Sequence, residues 1–245
     1  LHPHLRVRAR PMSRRWTRRI LGAAFVAGGL AAGAQAVRRR IALALEPVAD
    51  DLRSPLLLAT PSFRTGRILP LIQSAPTPKM PSRDGVDIRS ELVDGYGRDD
   101  GSQVRVVVYE RADRTRPSAA LVWIHGGGYV IGMPEQNTPN CSRWADELGT
   151  LVVSVDYRLA PQHPFPAALD DCYAALCWVH DHADYLGVDP SRIAVGGDSA
   201  GGGLAAALAQ VARDRPGPKA CFQLLEEPMI DDRTVLRDDH EGRGR

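Results

Sequence analysis

Ile193-Ala194-Val195-Gly196-Gly197-Asp198-Ser199-Ala200-Gly201-Gly202-Gly203 runs directly into Leu204-Ala205-Ala206-Ala207, and this stretch decides the fold. A short unbroken apolar run is the mark of a strand covered on both faces, and an Ala/Leu-rich run favours a helix. The segment therefore reads as strand, sharp turn and helix, with Gly197, Ser199 and Gly201 in the G-x-S-x-G arrangement. The spacing has a steric reason. A serine held in a strained turn needs neighbours without side chains, so that the backbone can reverse and leave the hydroxyl exposed. A helix that begins at Ser199 or Ala200 also sets unbonded N–H groups and a positive dipole end beside that hydroxyl. The same glycines would suit a phosphate loop, but the lysine and the Ser/Thr that such a loop needs are absent.

Leu121-Val122-Trp123-Ile124-His125-Gly126-Gly127-Gly128-Tyr129 reads as a second buried strand that ends in glycines. Backbone N–H groups of such glycines can approach a ligand oxygen unobstructed, as an oxyanion hole requires when charge develops on a carbonyl oxygen. His125, directly before them, reads as a residue that orients the loop by hydrogen bonding and not as the proton acceptor.

Taken together, with the glycine loop first and the serine second, these motifs resemble the hormone-sensitive-lipase-like branch of the α/β-hydrolases, with its His-Gly-Gly-Gly and Gly-Asp-Ser-Ala-Gly signatures. Val155-Asp156-Tyr157-Arg158-Leu159-Ala160-Pro161-Gln162-His163-Pro164-Phe165-Pro166-Ala167-Ala168-Leu169-Asp170-Asp171 looks like the segment between the two motifs in that branch. The resemblance implies an α/β-hydrolase fold, a mostly parallel sheet with helices on both faces. It implies Ser199 as nucleophile and N–H groups of Gly126, Gly127 and Ala200 as the oxyanion hole. His125, Gly128, Gly197, Asp198 and Gly201 are the supporting motif residues. It further implies a small carboxylic ester of short or medium acyl length as substrate, with no metal and no organic cofactor.

In that branch an acidic residue and a histidine follow the serine. Here Asp231, Asp232, Asp238, Asp239 and His240 are the nearby candidates, and none stands in a matching turn or after a last apolar strand. His180 and His182 read as solvated residues near a helix end and His163 as structural. Asp156 and Arg158 read as residues that tie loops together. The expectation is thus a chain that stops before its acid and base, with C-terminal strands missing and an open sheet edge. Loss of the base costs on the order of 10⁴–10⁶ in kcat. The rival expectation is a non-catalytic receptor or scaffold that binds a small apolar ligand in the same pocket.

The remaining pattern divides the 245 residues into three parts. Residues 1–45 hold ten arginines and no acidic residue, around the uncharged stretch Ile20–Val37, which reads as an export signal, a membrane anchor or a plain extension. Residues 46–82 contain seven prolines and read as a linker or loosely helical cap region. Residues 83–245 form the hydrolase-like domain, with strands expected at 86–93, 104–109, 119–124, 151–155, 192–195 and 221–225. Helices are expected at 141–148 behind an Asn140 cap, 167–185 and 204–212. From Glu46 onward acidic residues outnumber basic ones by 29 to 21, and no basic stripe interleaved with aromatics argues for nucleic acid. The four cysteines read as reduced, buried thiols.

Overall fold

The computed structural model describes residues 69–74, 76, 79–96 and 101–231, together with isolated positions at 35, 39, 42, 46, 49 and 233. The chain divides into two compact units, Leu1–Arg64 and Thr65–Arg245. The uncharged stretch 20–37, residues 97–100 and the candidates Asp232, Asp238, Asp239 and His240 fall outside the described residues, apart from the single position Gln35. None of the described helices is long and apolar enough to cross a membrane.

The first described element of the second unit is a short helix α1 (Leu69–Gln73) inside the proline-rich stretch. It continues through β1 (Val86–Asp94), β2 (Gln103–Arg111), β3 (Ser118–Ile124), a 3-10 turn (Pro134–Asn137), α2 (Thr138–Leu148), β4 (Leu151–Asp156), α3 (Ala167–Asp181), α4 (Ala183–Leu186), β5 (Val188–Asp198), α5 (Ala200–Asp214) and β6 (Phe222–Glu226). The six strands form one sheet in the order β1-β2-β4-β3-β5-β6. β1 and β2 pair antiparallel with Val93 opposite Val104, and β2 runs antiparallel to β4. The β4, β3, β5 and β6 pairings are all parallel.

Alternation along each central strand feeds two cores. Val106, Val108, Ala120, Val122, Ile124, Val153, Val155, Ile193 and Val195 meet α3 and α5 on one face. Val107, Tyr109, Leu121, Trp123 and Val152 meet Cys141 and Ala145 of α2 on the other. Helices therefore cover both faces, which is why β3 is apolar from Ala119 to Ile124 and β4 is apolar from Leu151 to Val155 but for the buried Ser154.

Some helix bounds differ from expectation for local reasons. α2 starts at Thr138, with Asn137 at the cap position, because Pro139 fits the first helical turn, where its missing N–H costs nothing. The single helix expected over 167–185 is broken at His182, whose backbone leaves helical geometry. α5 begins at Ala200, immediately after Ser199, as the elbow reading expected, and so takes in the glycines ahead of its 204–212 apolar run. All four cysteines are free; Cys141 and Cys172 are buried, while Cys221 is exposed, against the expectation of a buried thiol.

Candidate active site

The C-terminal ends of the parallel neighbours β3 and β5 lie side by side, with Ile124 opposite Gly197 as the last registered pair. Ligands of open parallel sheets bind outside this end of the strands. Beyond it the chain turns sharply at Ser199, which sits at φ 53° and ψ −114°. A non-glycine residue in that left-handed region is strained and persists only where its surroundings hold it. They hold it here by close packing. A Cβ at Gly197 would lie 2.6 Å from the Ile124 carbonyl oxygen, and one at Gly201 would lie 2.5 Å from the His125 carbonyl oxygen. The glycines two before and two after the serine are therefore fixed by contact with β3, not by flexibility.

Ser199 is half-buried, and its hydroxyl has no hydrogen bond among the described residues. Its backbone is tied on both sides: its N–H donates to the Glu226 carbonyl at 2.8 Å, and its carbonyl accepts from Gly203 at 3.1 Å and Met229 at 3.0 Å. Glu226 is the last residue of β6, one of the two outermost described strands, and is exposed. No side chain caps α5, so the N–H of Ala200, its first residue, remains an open donor.

The glycine loop divides its N–H groups. Gly126 departs from the expectation: its N–H donates to Asp198 Oδ1 at 3.0 Å and is therefore occupied. A Cβ there would sit 2.5 Å from Asp198 Oδ2. The N–H groups of Gly127 and Gly128 have no acceptor among the described residues, and Gly128 is exposed. The Gly127 carbonyl closes a tight turn by accepting from Val130 at 3.2 Å and Ile131 at 3.0 Å. Gly128 thus joins Gly127 and Ala200 as an open donor, and Gly126 leaves the set.

His125 is fully buried beneath this loop. Its Nδ1 lies 2.8 Å from the Gly126 carbonyl, which can only accept, so the proton is on Nδ1. The ring stacks on Tyr157 at 4.2 Å, and the Tyr157 hydroxyl donates to the His125 carbonyl at 2.9 Å. Burial pulls the imidazole pKa below its ordinary 6.5, against the opposing pull of Asp156, Asp198 and Glu135. The side chain supports the loop and forms no hydrogen bond with Ser199.

The other singled-out residues lie apart from the serine hydroxyl. Asp156 pairs with Arg105 at 2.8 Å, and Arg105 also grips Glu135 at 2.6 Å in the turn after the glycine loop. Arg158 pairs with the buried Asp171 at 3.0 Å. His180 bonds Asp181 at 2.9 Å and His182 bonds the Trp178 carbonyl at 3.0 Å. Asp231 is exposed and pairs with Arg233 at 2.8 Å. His163 is exposed and lines a cavity of about 350 Å³ with Tyr129, Phe165, Leu169, Gly203 and Leu204. Gly203, four residues after Ser199, sets one wall of the cavity on the first turn of α5. Sequence reasoning did not find this cavity, because Tyr129, the 158–169 loop and α5 meet only in the fold.

The family model of the alpha/beta hydrolase fold matches residues 121–243. Carboxylesterase NlhH of Mycobacterium tuberculosis (strain CDC 1551 / Oshkosh) is 54% identical over 108 residues, which cover 44% of this chain and 34% of that protein. Hormone-sensitive lipase of Bos taurus is 35% identical over 166 residues, covering 66% of this chain and 22% of that protein. The chain thus spans about a third of the length of the first of these curated relatives and less than a quarter of the second. Among solved structures, the bacterial heroin esterase superposes with a TM-score of 0.59 at 48% identity, over 62% of this chain and 47% of that one. The esterase of Pyrobaculum calidifontis follows at a TM-score of 0.55 and 40% identity, over 72% and 52%. With its elbow, glycine loop and sheet order as described, the chain belongs to the α/β-hydrolase family, in its hormone-sensitive-lipase-like branch.

Proposed function

We propose that this chain carries the nucleophile and oxyanion hole of a carboxylic-ester hydrolase. The observation that carries the reading is the half-buried, unbonded hydroxyl of Ser199 on a left-handed elbow beside the open N–H groups of Gly127, Gly128 and Ala200. Ser199 Oγ attacks the acyl carbon, its hydroxyl proton passes through water to the departing alkoxide oxygen, and the carbonyl oxygen takes up negative charge in the tetrahedral adduct. Collapse of the tetrahedral adduct expels the alcohol, and water then releases the acid. Fixed N–H donors matter because they meet the charge only as it develops; removing one costs about 10²–10³ in kcat in comparable sites. The ester's apolar arm goes to the cavity beside Gly203, which fits a short or medium acyl or aryl group. Membrane contact through residues 20–37 is part of the proposal for the whole chain, with vesicle flotation as its measurement.

Among the described residues no histidine is hydrogen-bonded to Ser199. A fluorophosphonate therefore suits the test, since it reports the nucleophile and the hole even when turnover is slow. Oγ bonds to phosphorus, fluoride leaves, and the phosphoryl oxygen occupies the hole. Labelling of the wild-type chain that disappears in Ser199→Ala is expected. Binding of a small apolar ester with no serine-dependent labelling would instead favour a receptor.

A further inference from the structure

Asp198 stands directly before the elbow and is the last residue of β5. Its carboxylate spans a separation of 72 residues to reach the Gly126 N–H at 3.0 Å, just beyond the last registered pair of β3 and β5. The space is closed around this bond, because any side chain at Gly126 would run into Asp198 Oδ2 at 2.5 Å and the Asp198 carbonyl at 3.0 Å. On the other side, the first turn of α5 is pressed against the same end of β3 through Gly201. Gly126 is itself buried, so its N–H has no ready substitute partner in water. The two glycines that follow it are the ones whose N–H groups stay open.

We infer that Asp198 is a positioning residue: by holding the Gly126 N–H it sets where the Gly127 and Gly128 N–H groups stand relative to Ser199 Oγ. The inference rests on the reading of Ser199 as nucleophile. It assigns to Asp198 an acceptor oxygen, not a proton or a charge. A hole displaced by about 1 Å can lose about 100-fold in rate, so the bond's contribution lies in geometry. The same bond accounts for the occupied Gly126 and for the choice of Gly127 and Gly128 as donors.

The test measures saturation labelling of the full chain by a fluorophosphonate, resolving the binding constant from the maximal labelling rate, for wild type, Asp198→Asn and Asp198→Ala. Circular dichroism and thermal unfolding of each variant accompany it. Asparagine keeps a carbonyl oxygen at the same place and loses the charge. The expected result is a maximal rate within about 3-fold of wild type for Asp198→Asn and about 10- to 100-fold lower for Asp198→Ala, with binding constants little changed. A merely structural role would shift unfolding without splitting rate from binding. Wild-type rates in Asp198→Ala, or an equal loss in Asp198→Asn, overturn the inference while leaving the nucleophile in place. If Asp198→Ala does not fold, the asparagine variant decides alone. Absence of Ser199-dependent labelling in wild type removes both readings together.

Discussion

His125 places a titratable ring wholly inside the protein, and that has a consequence for stability. Burial holds its pKa below 6.5 in the folded chain, whereas the unfolded chain protonates near the ordinary value. Between the two, the unfolded state binds the extra proton, so stability falls as pH drops through about 6.5 and is complete above it. One proton corresponds to at most about 1.4 kcal/mol per pH unit. Denaturant titrations between pH 5 and 7.5 should show this slope, and His125→Asn, whose amide can still donate to the Gly126 carbonyl, should flatten it. Equal slopes in the two proteins would exclude His125 as the source. The residue's supporting role was readable from its place before three glycines. The fate of the Gly126 N–H was not, since it depends on a carboxylate 72 positions away whose direction no local pattern records.

Elements fared according to how much of their identity is local. β3, β4 and the second half of β5 were legible because 119–124, 151–153 and 193–195 are short apolar runs bounded by glycine or polar residues, whereas the first half of β5, with Asp189, Pro190, Ser191 and Arg192, carries no such signal. The break at His182 was not, because Ala183 and Leu186 continue the apolar pattern while the backbone has already changed direction. The loop after β4 was read correctly as a tie, and its geometry gives the tie a magnitude. Asp171 on α3 accepts from the Arg158 backbone N–H at 2.9 Å and from its guanidinium at 3.0 Å, with the Asp171 side chain 1% exposed and that of Arg158 31% exposed. Breaking a fully buried pair costs roughly 3–5 kcal/mol. Partial exposure of the arginine places Asp171→Ala at or below the lower end of that range. Chemical denaturation should register this loss, together with a weaker fit of apolar esters, because Arg158 and Leu169 line the cavity beside α5. An unchanged midpoint would mean that the loop is held elsewhere.

At the scale of the molecule, the sheet sets the C-terminal ends of two inner parallel strands side by side and gathers the chemistry there. The crevice beyond β3 and β5 gathers the serine, the glycine loop and the Asp198 bond in one place, while every other strand contributes support. The outermost described strands are β1 and β6. β1 carries charges along its length, at Asp87, Arg89, Glu91 and Asp94, and such charges discourage edge pairing. β6 differs. Its Phe222 is 62% exposed, and Met229 and Ile230 just beyond it are 50% and 72% exposed. An edge that combines unpaired backbone groups with apolar side chains is a template for self-association. The 245-residue chain should therefore show light scattering or sedimentation that rises with concentration. Phe222→Lys, which sets a charge on that edge while leaving Ser199 and the glycine loop untouched, should lower association without reducing fluorophosphonate labelling. Equal association in the two proteins would move the sticky surface elsewhere, to apolar residues such as Leu71 or Phe165, which are 73% and 85% exposed.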